Sequence, residues 1–486
     1  MKQYSRKQFI QLLPVAGAVF FLAACGLGND KTTKTVTSSG AAPKPLPAGN
    51  SAATSLDLVD KKDARYDALR RGFNERIDKY PQVIAVCTSA QDVAAAVRYA
   101  QEKKLPIAVK SGGHSMEGFS CNDDGMVINL SKMNSVEMLD GGKIKVGPGC
   151  TLSHLYDNTL LKGRLLPGGS CATVGLGGLT LGGGYGIFAR KYGLTCDHLL
   201  EATMVDGQGN IHNTKNDAEL LWALKGGGNG NFGIVTEMIF TTHVAPPTLQ
   251  AHYFKARKLD AERAAAILET WMELMPQLPA SCFSGYVLNG GTLNILITNY
   301  EPDDSNLPLL LNKLAGVVDD FHSSRVGALE TMVKNYYGVG KPLRFRNSSA
   351  GFFKGYSDVA PIIKDIFAKT IATPGMMYQV NTLGGKINDA DAEKQSSYPH
   401  RGYDFVSELQ GYGNSATQDK AIAAVTTEVL KITEQHGINR QYVNYCSLEF
   451  SNCEQAYYAD NYPRLQAVKR KYDPDDNIRH PQSIKA

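Results

Sequence analysis

The chain is expected to form an α+β fold of two domains, and three observations lead there. Between residues 83 and 242, short β-branched runs are separated by Asp-Gly and Gly-Gly turns, with helical patterns only at 89–103 and 219–225. Beyond Pro246-Pro247 the glycine clusters thin and longer helical patterns appear. With 486 residues there is chain enough for two substantial buried cores.

Taken in order, residues 83–87 are a short apolar run, and Ser89-Ala90-Gln91-Asp92 starts an Ala/Val-rich helix reaching residue 103 in the manner of a capping box. Residues 105–110 read as the next strand, so a β-α-β unit delivers the chain into the loop at 111–120. Further strands fit 126–130, 143–146, 200–205 and 234–242, turning at pairs such as Asp206-Gly207. In the second domain, 259–275 and 307–317 are helix-like and 293–299 strand-like. No internal repeat is present.

Composition narrows the class of partner. Lys and Arg total 51 against 47 Asp and Glu, a net +4 without a long basic run, so nucleic acid is not expected as a partner. Lys2, Arg6 and Lys7 precede an apolar stretch at 9–24 that Gln11 and Pro14 interrupt, too short and broken for a membrane span. It ends in Leu22-Ala23-Ala24-Cys25, which resembles the lipobox of bacterial lipoproteins; a plain secretory signal with an incidental cysteine is the alternative. Residues 1–25 are therefore read as signal peptide and anchor, and 26–60 as a flexible Ser/Thr/Gly/Pro/Ala-rich linker. Ser5-Arg6-Lys7-Gln8-Phe9-Ile10 also resembles a twin-arginine export signal, with Lys7 replacing the second arginine. Of nine cysteines, setting aside Cys25 and Cys171 leaves an odd seven; pairing of Cys446 with Cys453 stays open.

Two glycine-rich loops carry the chemistry. Ser111-Gly112-Gly113-His114-Ser115 and Gly169-Ser170-Cys171-Ala172-Thr173-Val174-Gly175 each set one nucleophile on backbone bare enough to touch a flat ligand. In residues 175–186 seven of twelve are glycine, more than turns need and enough to weaken a packed strand or helix. A histidine and a cysteine presented this way point to a covalently tethered flavin. Residues 228–233 formally match GxGxxG, but they follow a helix-like segment and precede a strand-like one, the reverse of a dinucleotide fingerprint. His114, His154, His198 and His212 lack ligand spacing or paired carboxylates, so no metal site is expected.

These loops, together with residues 222–233, Tyr398-Pro399-His400-Arg401 and Tyr472-Asp473-Pro474-Asp475-Asp476-Asn477, resemble in order the FAD-linked oxidases of the berberine bridge enzyme family, over residues 65–484. The resemblance implies a PCMH-type FAD-binding domain at 61–247 and a substrate domain of antiparallel sheet covered by helices at 248–437. It implies a C-terminal element at 438–486 that returns to the first domain. It also implies bicovalent FAD, with His114 on the 8α-methyl and Cys171 on C6. Ser111, Gly112, Gly113 and Ser115 would contact the cofactor from one loop, and Gly169, Val174, Gly175 and Gly178 from the other. Gly182, Gly183, Gly233, Ile234 and Val235 complete the set. Two links would hold flavin in an open site and raise its potential toward unactivated alcohols, while the protein supplies placement and electrostatics.

The catalytic residues follow from the same resemblance. Tyr445 matches the family's catalytic tyrosine, the base, and Tyr185 a tyrosine facing the same pocket; two adjacent phenols are expected to lower a pKa. Alternation along 405–410 puts Glu408 and Gln410 on one face, where the family places a carboxylate or amide, and the choice between them stays open. Val174 stands where valine goes with oxidases, implying O2 as acceptor and H2O2 as product. Leu179 and Met116 depart from a histidine and a tyrosine found in relatives. The implied substrate is a hydroxyl-bearing small molecule, with carbohydrate the first choice on associational grounds. Natural-product or amine oxidation, a dehydrogenase using a non-oxygen acceptor, and a binding protein retaining flavin structurally remain as rivals. The expected location is the bacterial cell envelope, anchored through Cys25 on the periplasmic or outer-membrane face.

Overall fold

The computed structural model describes residues 56–301, 306–338 and 340–486. The export signal, Cys25 and most of the linker lie outside the described residues. The class is α+β as expected, and three main sheets build it.

In the first sheet Val83–Val86, Met126–Asn129 and Ile107–Lys110 run parallel, with Met126–Asn129 between the others. The crossover is the helix Ala90–Lys103. It starts because Ser89 and Asp92 cap one another, Asp92 N donating to Ser89 Oγ and Ser89 N to the Asp92 carboxylate, both at 3.1 Å. It stops at Lys104, whose φ of 56° is left-handed. Val93, Ala96, Val97 and Ala100 recur at helical spacing and bury its inner face. One expectation changes: Asp57–Val59, assigned to the linker 26–60, pairs antiparallel with Val83–Val86. The buried Val59 side chain, without exposure to solvent, explains why the sheet begins before residue 61.

The second sheet is antiparallel, in the order Val136–Leu139, Lys143–Val146, Gly233–Thr241, Leu199–Asp206, Ile211–Asn213. The helix Ala218–Leu224 precedes the strand Gly233–Thr241, the order that excludes a dinucleotide fingerprint at 228–233.

The third sheet is antiparallel and larger, with Thr248–Arg257, Thr292–Asn299, Cys282–Asn289, Met376–Thr382, Phe405–Gly411 and Arg346–Phe353 side by side. Helices Ala261–Leu274, Ile363–Ala372 and Ala416–Gln435 bury apolar side chains in the core on one face. There Trp271 packs on Phe405 and donates from Nε1 to Ser284 Oγ at 2.9 Å. Truncating so large a buried ring costs about 3–5 kcal/mol. Strand alternation then decides the site. Tyr378, Val380 and Leu409 enter this helix-covered core, so Gln379, Asn381, Glu408 and Gln410 take the opposite face. A one-residue slip would exchange the two sets.

The C-terminal segment returns to the start of the chain. After the helix Tyr462–Tyr472, Ile478 forms a parallel bridge with Ile107, and Ile107 N donates to Asn477 O at 3.0 Å. Lys469, fully buried, donates to Asp473 at 2.6 Å and to Ile478 O at 2.9 Å, so its charge is matched rather than stranded. Cys446 and Cys453 are separate thiols: Cys446 is buried, and Cys453 opens the helix Cys453–Tyr458.

Candidate active site

A cavity of about 320 Å³ runs between the first two sheets, the third sheet and the C-terminal segment. The loop that follows Ile107–Lys110 reaches it first. Ser111 Oγ donates to Pro148 O at 2.6 Å, and Gly113 turns the chain at φ 72°. Gly112 lies against Gly175 so closely that a Cβ on it would stand 2.3 Å from Gly175 N. The two glycine-rich loops are thus packed backbone to backbone, and both present their nucleophiles to one cavity.

His114 stacks on Phe73 with ring centroids 4.1 Å apart, and its Nε2 lies 2.9 Å from Thr173 Oγ1. Burial pulls its pKa down to about 4, so the imidazole is neutral. Cys171 Sγ lies 3.9 Å from the same hydroxyl. Burial pushes this thiol up, while hydrogen bonds from Thr173 and Val174 work against that rise. Ser111, Gly112, Gly113, Ser115, Gly169, Val174, Gly175, Gly178, Gly233, Ile234 and Val235 line the same cavity. Gly182 and Gly183 do not. A Cβ on Gly182 would meet Asn444 Oδ1 at 2.1 Å and one on Gly183 the Tyr398 ring at 2.8 Å, so they make room for Asn444, which lines the cavity, and for Tyr398 behind it.

Opposite the nucleophiles, Tyr185 Oη and Tyr445 Oη are 2.7 Å apart. Tyr445 ends the short 3-10 turn Val443–Tyr445, whose neighbour Asn444 donates to Leu179 O at 3.2 Å and to Tyr442 Oη at 3.0 Å. The expected lowering of a phenol pKa is not found. Burial pushes both phenols well above their usual value, and the neighbouring Glu408 adds to the rise. Among the described residues no cation offsets it, because the pair sits among aromatic rings, Tyr442 among them.

A hydrogen-bonded wall continues from the phenols. Asn381 Nδ2 donates to Tyr185 Oη at 2.9 Å, and Gln379 Nε2 to Asn381 Oδ1 at 2.9 Å. Gln410 Nε2 donates to Gln379 Oε1 at 3.0 Å and to Glu408 Oε2 at 2.8 Å, while Asn347 Nδ2 donates to Glu408 Oε1 at 3.0 Å. Burial lifts the Glu408 carboxyl to about 7, the Gln410 and Asn347 donors holding it from rising further. Both Glu408 and Gln410 face the cavity, Glu408 as the titrating group and Gln410 as its donor.

Thr173, Phe73, Asn347, Gln379 and Asn381 had no role assigned from sequence. The signal for Gln379 and Asn381 was available: two amides alternating with Tyr378 and Val380 in a strand buried throughout. Thr173 lay inside a motif read for its cysteine.

Glycine backbones that leave no room for a Cβ, two nucleophiles on one wall, and the buried Asn229 Oδ1 and Asn347 Oδ1, both without a partner among the described residues, fit a large planar cofactor with polar edges. Fold and site define a flavin-dependent oxidoreductase. Residues 81–215 match the FAD binding domain model and residues 441–485 the berberine and berberine-like model. The chain is 30% identical to the chitooligosaccharide oxidase of Gibberella zeae over 85% of this chain and 89% of that protein. It is 27% identical to the glucooligosaccharide oxidase of Sarocladium strictum, over 87% and 91%. Among solved structures, a chitooligosaccharide oxidase superposes with a TM-score of 0.78 at 25% identity, covering 88% of this chain and 97% of the other. The chain belongs to the berberine bridge enzyme-like family of FAD-linked oxidoreductases.

Proposed function

We propose that this chain oxidises a hydroxyl-bearing carbon of a saccharide, with FAD held through His114 and Cys171 and with O2 as the acceptor that yields H2O2. The observation that carries the reading is the juxtaposition, in one cavity, of both nucleophiles with a buried carboxyl at about 7 and a phenol pair 2.7 Å apart. The similarity to two oligosaccharide oxidases supports the substrate class.

When bound, FAD supplies a two-electron acceptor for hydride. The chain supplies everything else. The substrate hydroxyl is bound and oriented by Tyr445 and the amide wall, and its proton goes to Glu408, whose pKa suits a base working near neutrality. Tyr185, fixed by Asn381, holds Tyr445 in place. The amides of Gln410 and Asn347 keep the Glu408 oxygens in register. Val174 on the cavity wall, the residue that goes with oxidases in the family, supports O2 as acceptor.

A second reading keeps Tyr445 as the base. It draws on the 2.7 Å contact between the two phenol oxygens, of which Tyr185 also accepts from Asn381 Nδ2, leaving the Tyr185 hydroxyl proton free to be donated to Tyr445. Oxygen uptake and H2O2 release across sugars, simple alcohols and amines test the function, and indifference to every sugar refutes the saccharide reading. Comparing Glu408→Gln with Tyr445→Phe across pH separates the two bases. Loss of a rate limb near neutrality in the glutamine variant assigns the proton to Glu408. Its persistence there, with near-total loss of turnover in the phenylalanine variant, assigns it to Tyr445.

For location, the proposal is a lipid anchor on Cys25 in a bacterial envelope, supported by the basic start, the apolar stretch and Leu22-Ala23-Ala24-Cys25. Cys25→Ala should then release the protein from the membrane fraction; unchanged partitioning refutes the anchor.

A further inference from the structure

Thr173 holds a position that neither cofactor binding nor turnover explains. Its one hydroxyl is 2.9 Å from His114 Nε2 and 3.9 Å from Cys171 Sγ, and its backbone also interacts with the histidine ring. A hydroxyl has one proton to give and lone pairs to receive another. Only one arrangement serves both neighbours as nucleophiles. The Nε2–H of the neutral imidazole donates to Oγ1, which leaves the lone pair on Nδ1. Oγ1–H donates to the sulfur, which stabilises the thiolate.

Resting on the bicovalent reading above, we infer that Thr173 is the positioning residue for flavin attachment, fixing the His114 tautomer and the Cys171 ionisation through the same hydroxyl. The surroundings create the need. Burial keeps His114 neutral, so one ring nitrogen always carries a proton and the tautomer decides which of them attacks. Burial also opposes ionisation of Cys171, and the Thr173 hydroxyl adds a side-chain donor to the sulfur beside the backbone N–H groups of Thr173 and Val174. Phe73, stacked at 4.1 Å, fixes the plane of the imidazole but exchanges no proton with it.

The balance is the same for each link. A hydrogen on the nucleophile and one on the flavin carbon are replaced by a nitrogen–carbon or sulfur–carbon bond. Two electrons and two protons leave per bond, and O2 takes them as H2O2. Thr173 is neither consumed nor oxidised; it holds one proton and gives another in a hydrogen bond.

The test uses the full chain produced under riboflavin limitation, then given FAD. The rate at which flavin becomes stable to denaturation is followed by absorbance, and intact mass reports the links. Thr173→Val keeps the shape without the hydroxyl, Thr173→Ala guards against a packing effect of the added methyl, and Thr173→Ser restores the hydroxyl. Expected is attachment slowed about tenfold or more in both the valine and alanine variants, the loss of a charge-assisted hydrogen bond. Non-covalent FAD binding should persist in both, and the serine variant should attach near the wild-type rate. Attachment as fast as wild type in either the valine or the alanine variant overturns the proposal. Wild type that carries no covalent flavin overturns the bicovalent reading instead, so the two failures are distinguishable.

Discussion

Glu408→Gln offers a test in which stability and activity must change together. Burial holds the Glu408 carboxyl at about 7 against an ordinary 4.5. The native state therefore keeps a proton that the unfolded chain releases between those two values. The carboxyl costs nothing below the lower value, and its cost grows as the pH climbs toward the upper one. Above both values the difference amounts to about 3 kcal/mol. Glutamine removes the charge but turns an NH2 group toward either Asn347 Nδ2 or Gln410 Nε2, forfeiting one hydrogen bond of about 1 kcal/mol. The variant should thus be about 2 kcal/mol more stable than wild type near pH 8.5 and close to it near pH 5. In a chain of this size the gain corresponds to about 2 °C in the unfolding midpoint. Differential scanning of both proteins at the two pH values reads it, and oxidation rates on the same samples should show the limb near neutrality abolished. A midpoint difference independent of pH refutes the buried-charge argument, and an intact limb refutes the base assignment.

Three further outcomes follow from the geometry. His114→Ala and Cys171→Ala should each retain flavin after denaturation while the double variant releases it, as intact mass and visible absorption would show. Gly112→Ala places a Cβ 2.3 Å from Gly175 N, forcing the two loops apart. It should cost about 1–3 kcal/mol and sharply reduce flavin loading, measured by the absorbance ratio of purified protein. Arg401→Leu removes the partner of Asp197, a pair bonded at 2.6 Å with the arginine side chain 1% exposed. It should destabilise the fold by about 3–5 kcal/mol, readable in denaturant, because the largely buried aspartate loses the cation bonded to it.

The sequence carried much of this site because its strongest signals are local. Glycine density marks where backbone must approach a ligand, and period-two alternation alone puts Glu408 and Gln410 on one face. What escaped depends on register and charge in three dimensions. Asn347 and Gln379 come from strands far apart in the chain and meet Glu408 only through the pairing Ser349–Glu408–Gln379. The acidity of Tyr185 and Tyr445 could not be read from their adjacency, since burial and a nearby carboxyl raise both and the hydrogen bond between them works against the rise only at Tyr185. Gly182 and Gly183 share their composition with the cavity glycines, and only the positions of Asn444 and Tyr398 separate the two groups.

The bridge between Ile107 and Ile478 also bears on when the protein acquires its cofactor. Tyr457, Ile478, His480 and Gln482 line the same cavity as His114, so the wall of the pocket is finished by residues translated well after the first domain. Nascent chain with only the first domain emerged has no complete place for a flavin. Loading is thereby deferred until this segment has been made, and a chain cut short before it should be colourless however well its earlier sheets have formed.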